Sequence, residues 1–343
     1  MDDRKLRILT AVIDEYIVTG EPVGSKSIMN AVKASSATIR NEMAELEKQG
    51  YLEQPHTSAG RVPTYMGYRF YVDQLLETNP LSDEEIRMLD SMLPDESFTD
   101  EEIVRSASLA LAELTKCATV VANATPKFSV ISKVEVIPTG KRMYVILMIT
   151  SSGSIKNKIC RLQFDLTNEQ LAYFSSFMQE NLEGIEIDSI SDEMLEKLET
   201  ALGAYMVTLS PLVNEILKLS KEMTSQEVTM TGEMNLLACK DFDTNEIMTF
   251  LDHKKEIAEF ISQSFSGLHV MFSHESNGFV ISNSSLITSS FSKKGKQAGT
   301  LGLIGPMRID YAKYIPYLEY FTGKITEMLS GSAEDEDETY EKE

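Results

Sequence analysis

Residues 34–72 read ASSATIRNEMAELEKQGYLEQPHTSAGRVPTYMGYRFYV. The stretch has the form of a helix, a strand, a turn and a second strand run together without a break. Ser35 and Ser36 supply a helix cap, and Ile39, Met43 and Leu46 follow at i, i+4 and i+7, the spacing of one buried helical face. The opposite side carries Ser36, Thr38, Arg40, Asn41, Glu45 and Lys48. Those side chains donate and accept toward base edges and phosphates, and the core needs none of them. Gly50 stops the helix and Tyr51-Leu52 opens a strand. The loop Pro55-His56-Thr57-Ser58-Ala59-Gly60-Arg61-Val62-Pro63 then presents a glycine turn and an arginine between two prolines. The expectation is a helix-turn-helix followed by a wing. His56, Thr57, Ser58 and Arg61 are placed at the wing tip, where a guanidinium suits a phosphate or a narrow minor groove.

Upstream, Arg4–Thr19 carries an apolar stripe of Leu6, Leu9, Ile13 and Tyr16, and Gly20-Glu21-Pro22 breaks it. Residues 25–32 read as a short second helix whose start adds Ser25 and Lys26 to the DNA-facing candidates. Downstream, Thr64–Glu77 is helical again. Tyr68 and Tyr71 are expected in the core against the first helix, with Arg69 on the other side reaching toward a phosphate.

The chain has 343 residues and a formal net charge of −21, which at first opposes a nucleic-acid partner. The charge is uneven, however. Residues 1–76 sum to −1, residues 330–343 to −6, and the segment between them to −14. DNA affinity depends on local phosphate contacts. A near-neutral head on an acidic body binds weakly alone, which favours a dimer. No apolar run approaches the roughly 18 residues of a membrane span, and the N-terminus has no signal-like apolar block. Three cysteines, Cys117, Cys160 and Cys239, lie far apart with no CxxC, which fits a reducing cytoplasm and neither a disulfide framework nor a zinc site.

Past Pro80 the pattern alternates. Residues 82–93 and 100–117 read as acidic amphipathic helices. Segments 119–124, 130–137, 142–151 and 154–163 read as strands, and 167–182 as a helix. Residues 191–224 are helical with a break expected at Ser210-Pro211, and 245–265 adds more helix. Strands resume at 268–274, 279–282, 286–291 and 300–304, before a last helix from Tyr311 to Leu329. Helices interrupting one mixed sheet domain explain this order. The apolar run Leu212, Val213, Ile216, Leu217 and Leu219 needs a covering partner and is the expected dimer seam.

Other motifs carry less. Lys293-Lys294-Gly295-Lys296 lacks phosphate-loop spacing and precedes a strand, so it reads as a basic hairpin loop. In Gly302–Tyr311, Asp310 is expected to cap the last helix and Arg308 to pair locally. His253, His269 and His274 do not share metal spacing, and no nucleophile elbow is present, so neither a metal, a cofactor nor an enzyme is expected. The 18 methionines read as core filling.

The segments SSATIRNEMAELEKQGYLEQPHTSAGRVPT (35–64) and GYRFYVDQL (67–75) resemble the hallmark of the bacterial heat-inducible transcription repressors, the HrcA-type repressors of chaperone operons. The segment GTLGLIGPMRIDYAKYIPYLEYF (299–321) is similar to that family's C-terminal signature, and GEMNLLACKDF (232–242) resembles it more weakly. The chain departs from the pattern at GPMRIDY, where the family tends to have a threonine before the arginine and a methionine after it, and at Tyr65-Met66, which replaces a polar pair.

The resemblance implies an α+β multidomain protein with a winged helix-turn-helix at 1–77 and a helical linker at 78–117. It further implies a GAF-like domain split between 118–185 and 267–329 and a dimerising insert at 186–266. An acidic tail at 330–343 is expected to be disordered. The implied partners are an inverted-repeat operator in double-stranded DNA upstream of chaperone genes, a second copy of the chain, and the GroE chaperonin. Two rivals remain open: a small-molecule sensor in the GAF-like domain controlling a repressor, and a winged helix used for protein contacts alone.

Overall fold

The computed structural model describes residues 2–57, 59–93, 99–123, 130–151, 155–203, 206–224, 228–253, 261, 267–275, 281–293 and 295–331. The chain is mixed α+β and divides into two compact units, one formed by residues 1–123 with 228–343 and the other by 124–227.

The first unit opens with helices α1 (Asp3–Thr19), α2 (Met29–Val32) and α3 (Ser36–Lys48). Asp2 caps α1, and Gly20 closes it at φ +67°, a left-handed turn that glycine enters without strain. Lys33 makes the equivalent left-handed turn after α2. A two-stranded hairpin follows, β1 (Leu52–Glu53) with β2 (Val62–Pro63). Thr64 then caps α4 (Tyr65–Phe70), which runs into a π-helical turn at Tyr71–Leu75. Ile39, Met43 and Leu46 are buried against Ile8, Leu9, Val12 and Ile13 of α1, as the heptad-like spacing in the sequence required.

Capping boxes built on Ser82/Glu85 and Thr99/Glu102 start α5 (Asp83–Asp90) and α6 (Asp100–Thr115). The chain then enters β3 (Ala118–Asn123), leaves for the second unit, and returns as β7 (Val228–Thr231), α10 (Glu233–Ala238) and α11 (Thr244–Asp252). Next come β8 (His269–Phe272), β9 (Ser284–Lys293), β10 (Lys296–Pro306) and α12 (Tyr311–Gly331). The sheet order is β7-β3-β10-β9-β8, antiparallel throughout. Leu301, Leu303, Ile287 and Phe291 face Leu318, Phe321 and Ile325 of α12 in a core that continues without interruption into α1 and α3. On the sheet's other face, Val120, Leu286 and Ile304 cluster with Leu236, Phe242, Ile247 and Phe250.

The second unit is a three-stranded meander with helices. Its strands are β4 (Ile131–Gly140), β5 (Met143–Thr150) and β6 (Ile155–Arg161), in the order β4-β5-β6. Thr167 caps α7 (Asn168–Leu182), and α8 (Asp192–Leu202) and α9 (Met206–Thr224) complete it. One sheet face, with Val134, Tyr144, Ile146 and Met148, packs on Phe174, Met178, Leu212 and Ile216.

Several expectations are corrected here. Strands 131–161 do not extend the sheet that contains β3. Among the described residues they form a sheet of their own, with Ile131 also bonded to the backbone of Gly184 and Ile185, and they belong with α7–α9 in the compact unit 124–227, where the insert was expected over 186–266. Val228–Thr231, expected inside the insert, is an edge strand of the larger sheet. Alternation marks a strand without saying which sheet it joins, and that choice is made by distant pairing. The helix break falls at Gly203, and Pro211 sits inside α9. Ile281 and Ser282 lie outside any strand, while the rest of the strand expected over 279–282, most of the helix expected after 253, and residues 332–343 of the acidic tail lie outside the described residues.

The expected dimer seam is also corrected. Leu212, Val213, Ile216 and Leu219 are at most 1 % exposed, and Leu217 is partly buried, all within their own unit. The run is apolar because it faces its own sheet.

Candidate nucleic-acid interface

The candidate interface is the outward side of α3. Ser35 Oγ accepts from the Thr38 amide at 3.2 Å and bonds Thr38 Oγ1 at 2.9 Å, which fixes the first turn. Ser25 Oγ and Ser36 Oγ are 2.8 Å apart, tying the start of the α2 segment to the start of α3. Arg40 and Asn41 are exposed, and their side chains make no hydrogen bond or ion pair among the described residues. Lys26 is exposed as well. Lys48 reaches Glu45 at 2.7 Å, a pairing that holds the Glu45 carboxyl below its usual range. On the flank of the helix, Arg4 and Lys5 approach Glu42 at 3.9 and 3.8 Å. The stripe thus offers two unengaged polar side chains at its centre, with local pairs at its edges.

The hairpin is built differently from the expected free tip. His56 and Thr57 are exposed, and Ser58 lies outside the described residues. Gln54 Nε2 donates to the carbonyls of Thr57 and Ala59 at 3.1 and 3.0 Å, bracing the loop from within. Arg61 is corrected as a projecting tip. Its backbone bridges Val23 in both directions, and Gly60 lies so close to the Val23 carbonyl that no side chain fits there. The guanidinium turns inward to Glu47 of α3 at 2.8 Å and is only 17 % exposed. Arg69 is likewise corrected from a phosphate contact. It donates to the Val270 carbonyl at 2.7 Å, pairs with Asp73 at 3.1 Å and Glu275 at 3.5 Å, and lies over the Phe272 ring.

Tyr68 and Tyr71 are buried as expected. Tyr71 donates to Asp14 at 2.9 Å, while Tyr68 packs between Phe272 and Tyr311. Tyr65 donates to Glu275 at 2.7 Å, and burial together with that carboxylate pushes its hydroxyl up to about 12. Sequence reasoning missed these links because Glu275 and Phe272 lie far along the chain with no motif to mark them.

Among the described residues, no group of three or more His, Cys, Asp or Glu could hold a metal, and no helix is long and apolar enough to cross a membrane. Burial pushes the Cys117 thiol up to about 12, far from a reactive thiolate.

The model of the HrcA protein C-terminal domain matches residues 101–315. The heat-inducible transcription repressor HrcA of Acetivibrio thermocellus is 34% identical over 338 residues, covering 96% of each chain. The chain belongs to the HrcA family of heat-inducible transcription repressors. The HrcA of Ruminiclostridium cellulolyticum is also 34% identical, over 96% of this chain and 97% of its own. These HrcA relatives match nearly the whole chain, well beyond the 101–315 that the domain model covers. Both relatives are named as transcription repressors. A crystal structure of a hypothetical protein covers 97% of this chain and 99% of its own at TM-score 0.62 and 23% identity, a likeness of fold.

Proposed function

We propose that the chain is a cytoplasmic, DNA-binding repressor of chaperone operons that acts as a homodimer on an inverted repeat. Residues 1–77 serve as a winged helix-turn-helix with α3 in the major groove, and the five-stranded sheet with its helices serves as the GAF-like domain. The observation that carries this reading is the bare pair Arg40 and Asn41 at the centre of α3's outward stripe. Both side chains suit bidentate contacts to bases. Ser25, Lys26, Ser36, Thr38, Glu45 and Lys48 surround them, and His56 and Thr57 extend the surface toward the hairpin. Arg61 holds the hairpin to α3, Arg69 ties α4 to the segment at 270–275, and neither is needed at the duplex.

The dimer surface is reassigned from α9 to the outer face of β4-β5-β6. Cross-strand pairing puts Ile137, Val145 and Ile159 in one row and Ile149 and Ile155 in another. Ile155 is 58% exposed and Ile159 63%. Lys133 and Glu135, which pair with each other at 2.6 Å, and Arg161 stand on the same face, so the patch is not dominated by one charge sign and can meet its own copy about a two-fold axis.

Heat acts on the fraction of competent dimer, and observed operator affinity falls in proportion to that fraction. A GroE-type chaperonin restores it by refolding. No observation favours a small-molecule sensor: among the described residues, Phe242, Ile247 and Phe250 fill the space against the sheet.

The test is fluorescence anisotropy on an inverted repeat from a chaperone promoter and on a scrambled duplex, across a salt series. Steeply salt-dependent binding with strong preference for the repeat is expected. Equal binding to both duplexes would remove the repressor mechanism. Titration with and without chaperonin, giving equal active fractions, would remove the chaperonin link.

A further inference from the structure

The loop at 305–310 has no role in the reading above, yet it touches the DNA-reading head. Gly305 packs on the Cys117 sulfur, Met307 donates its amide to the Asn283 carbonyl at 2.8 Å, and the buried Tyr311 donates its hydroxyl to the Met307 carbonyl at 2.6 Å. The base of Arg308 is therefore fixed to the sheet. Its guanidinium occupies the space beside Gly20, the left-handed residue that ends α1, where a Cβ on that glycine would come within 3.4 Å of it. Its Nε is 2.7 Å from Asp241 Oδ2, in the turn between α10 and α11, and both side chains are about one-third exposed, at 31 % each. A cation at this position also meets the negative end of the α1 dipole.

A second attachment lies on α4. Tyr65 and Arg69 both engage Glu275, and Arg69 also holds the Val270 carbonyl. Between the two attachments lies an aromatic layer of Tyr68, Phe272 and Tyr311, with ring centroids 6.2 to 6.5 Å apart. An apolar layer alone resists separation but tolerates rotation. Two polar pins on different helices remove that freedom. Because α3 packs on α1, the angle of α1 sets the direction of the Arg40–Asn41 stripe.

We infer that Arg308 is a positioning residue: clamped to Asp241 and seated on the end of α1, it fixes the angle at which α3 is presented and so sets the half-site spacing that the dimer accepts. This rests on the DNA-binding reading above. Bivalent binding gains from effective concentration only when both heads meet their half-sites together, so a loosened head loses that gain without losing a single DNA contact.

The experiment uses the full chain as wild type, Arg308→Ala, Arg308→Lys, Asp241→Asn and the exchange Arg308→Asp with Asp241→Arg. Anisotropy is measured on a duplex with one half-site and on inverted repeats whose central spacer is shortened or lengthened base pair by base pair. Single-half-site affinity is expected to be unchanged in every variant. In Arg308→Ala and Asp241→Asn the best-spaced repeat loses about tenfold or more, and the preference among spacers flattens. Arg308→Lys, which keeps the charge without the planar contact, falls between, and the exchange recovers part of the spacing preference.

An Arg308→Ala chain that keeps wild-type affinity and spacing preference overturns the inference. Equal losses on half-site and full repeat overturn it too, since Arg308 would then act on the contact or the fold. If Arg308→Ala unfolds, Asp241→Asn decides, because it leaves the arginine packed on Gly20. Should wild type bind none of the duplexes, the DNA reading fails by itself. The joint is then read without DNA, by single-molecule energy transfer between dyes on unnatural amino acids at positions 37 and 319. A distance distribution no broader in Arg308→Ala than in wild type refutes the clamp.

Discussion

Within the 124–227 unit, the apolar run of α9 and the outer face of the three-stranded sheet exchange the roles that their sequences suggest. Leu212–Leu219 is dense in leucine and looks in need of a partner, yet it is filled from inside by Tyr144, Ile146 and Phe174. Residues 155–161, IKNKICR, alternate with lysines and look like an ordinary half-exposed strand, yet Ile155 and Ile159 stand bare. Hydrophobic density measures how much surface is to be covered and says nothing of what covers it. The arginines of the other unit repeat the lesson. Arg61 and Arg69 look free and are engaged, while Arg40 is exposed and has no partner among the described residues.

The sharpest way to break the first contrast is Ile155→Asp with Ile159→Asp. This pair should yield a monomer that retains its thermal transition, and operator affinity should fall by on the order of a hundredfold or more as avidity is lost. Sedimentation velocity measures the first and anisotropy the second. A persistent dimer would return the seam to another surface.

Ile216→Ala on α9 tests the other half. It should cost about 2–5 kcal/mol of unfolding free energy, as a buried truncation does, while protein still folded at low temperature stays dimeric. Loss of the dimer at unchanged stability, read by sedimentation and calorimetry, would reverse the assignment.

Arg40→Ala and Asn41→Ala should each remove about 1–3 kcal/mol of discrimination between operator and scrambled duplex, with circular dichroism unchanged. Unaltered specificity in both would move base reading to another face.

The smallest effect belongs to Arg61→Ala. It should lower stability by about 1 kcal/mol through loss of the half-buried Glu47 pair, and change DNA affinity little. A flattened salt slope at unchanged stability would show that the guanidinium leaves Glu47 to meet phosphate.

The N-terminal helices were legible because their signals are local. The inner row Ile39, Met43 and Leu46 repeats at helical spacing, Ser35 caps, and Gly50 ends the helix. The capping of the last helix was legible too, since Asp310 Oδ1 accepts from the Lys313 amide at 3.2 Å. What escaped depends on pairing across long sequence separations. The direction of Arg61 follows from its backbone bridge to Val23, and the allegiance of Val228–Thr231 from its pairing with β3. Arg308 was expected to pair locally, but its partner Asp241 lies before the last three strands of the sheet.

The excursion between β3 and β7 leaves and re-enters the larger sheet from neighbouring positions, since Ala122 pairs with Val228. In chain order, residues 124–227 are inserted between two strands that pair directly, so the detour through them imposes no long closure of its own on those strands. A short type I′ turn joining residues 122 and 228 would therefore keep both strands in register. Such a shortened chain offers a route to a single-headed protein, in which reading a half-site and pairing two of them can be studied as separable properties.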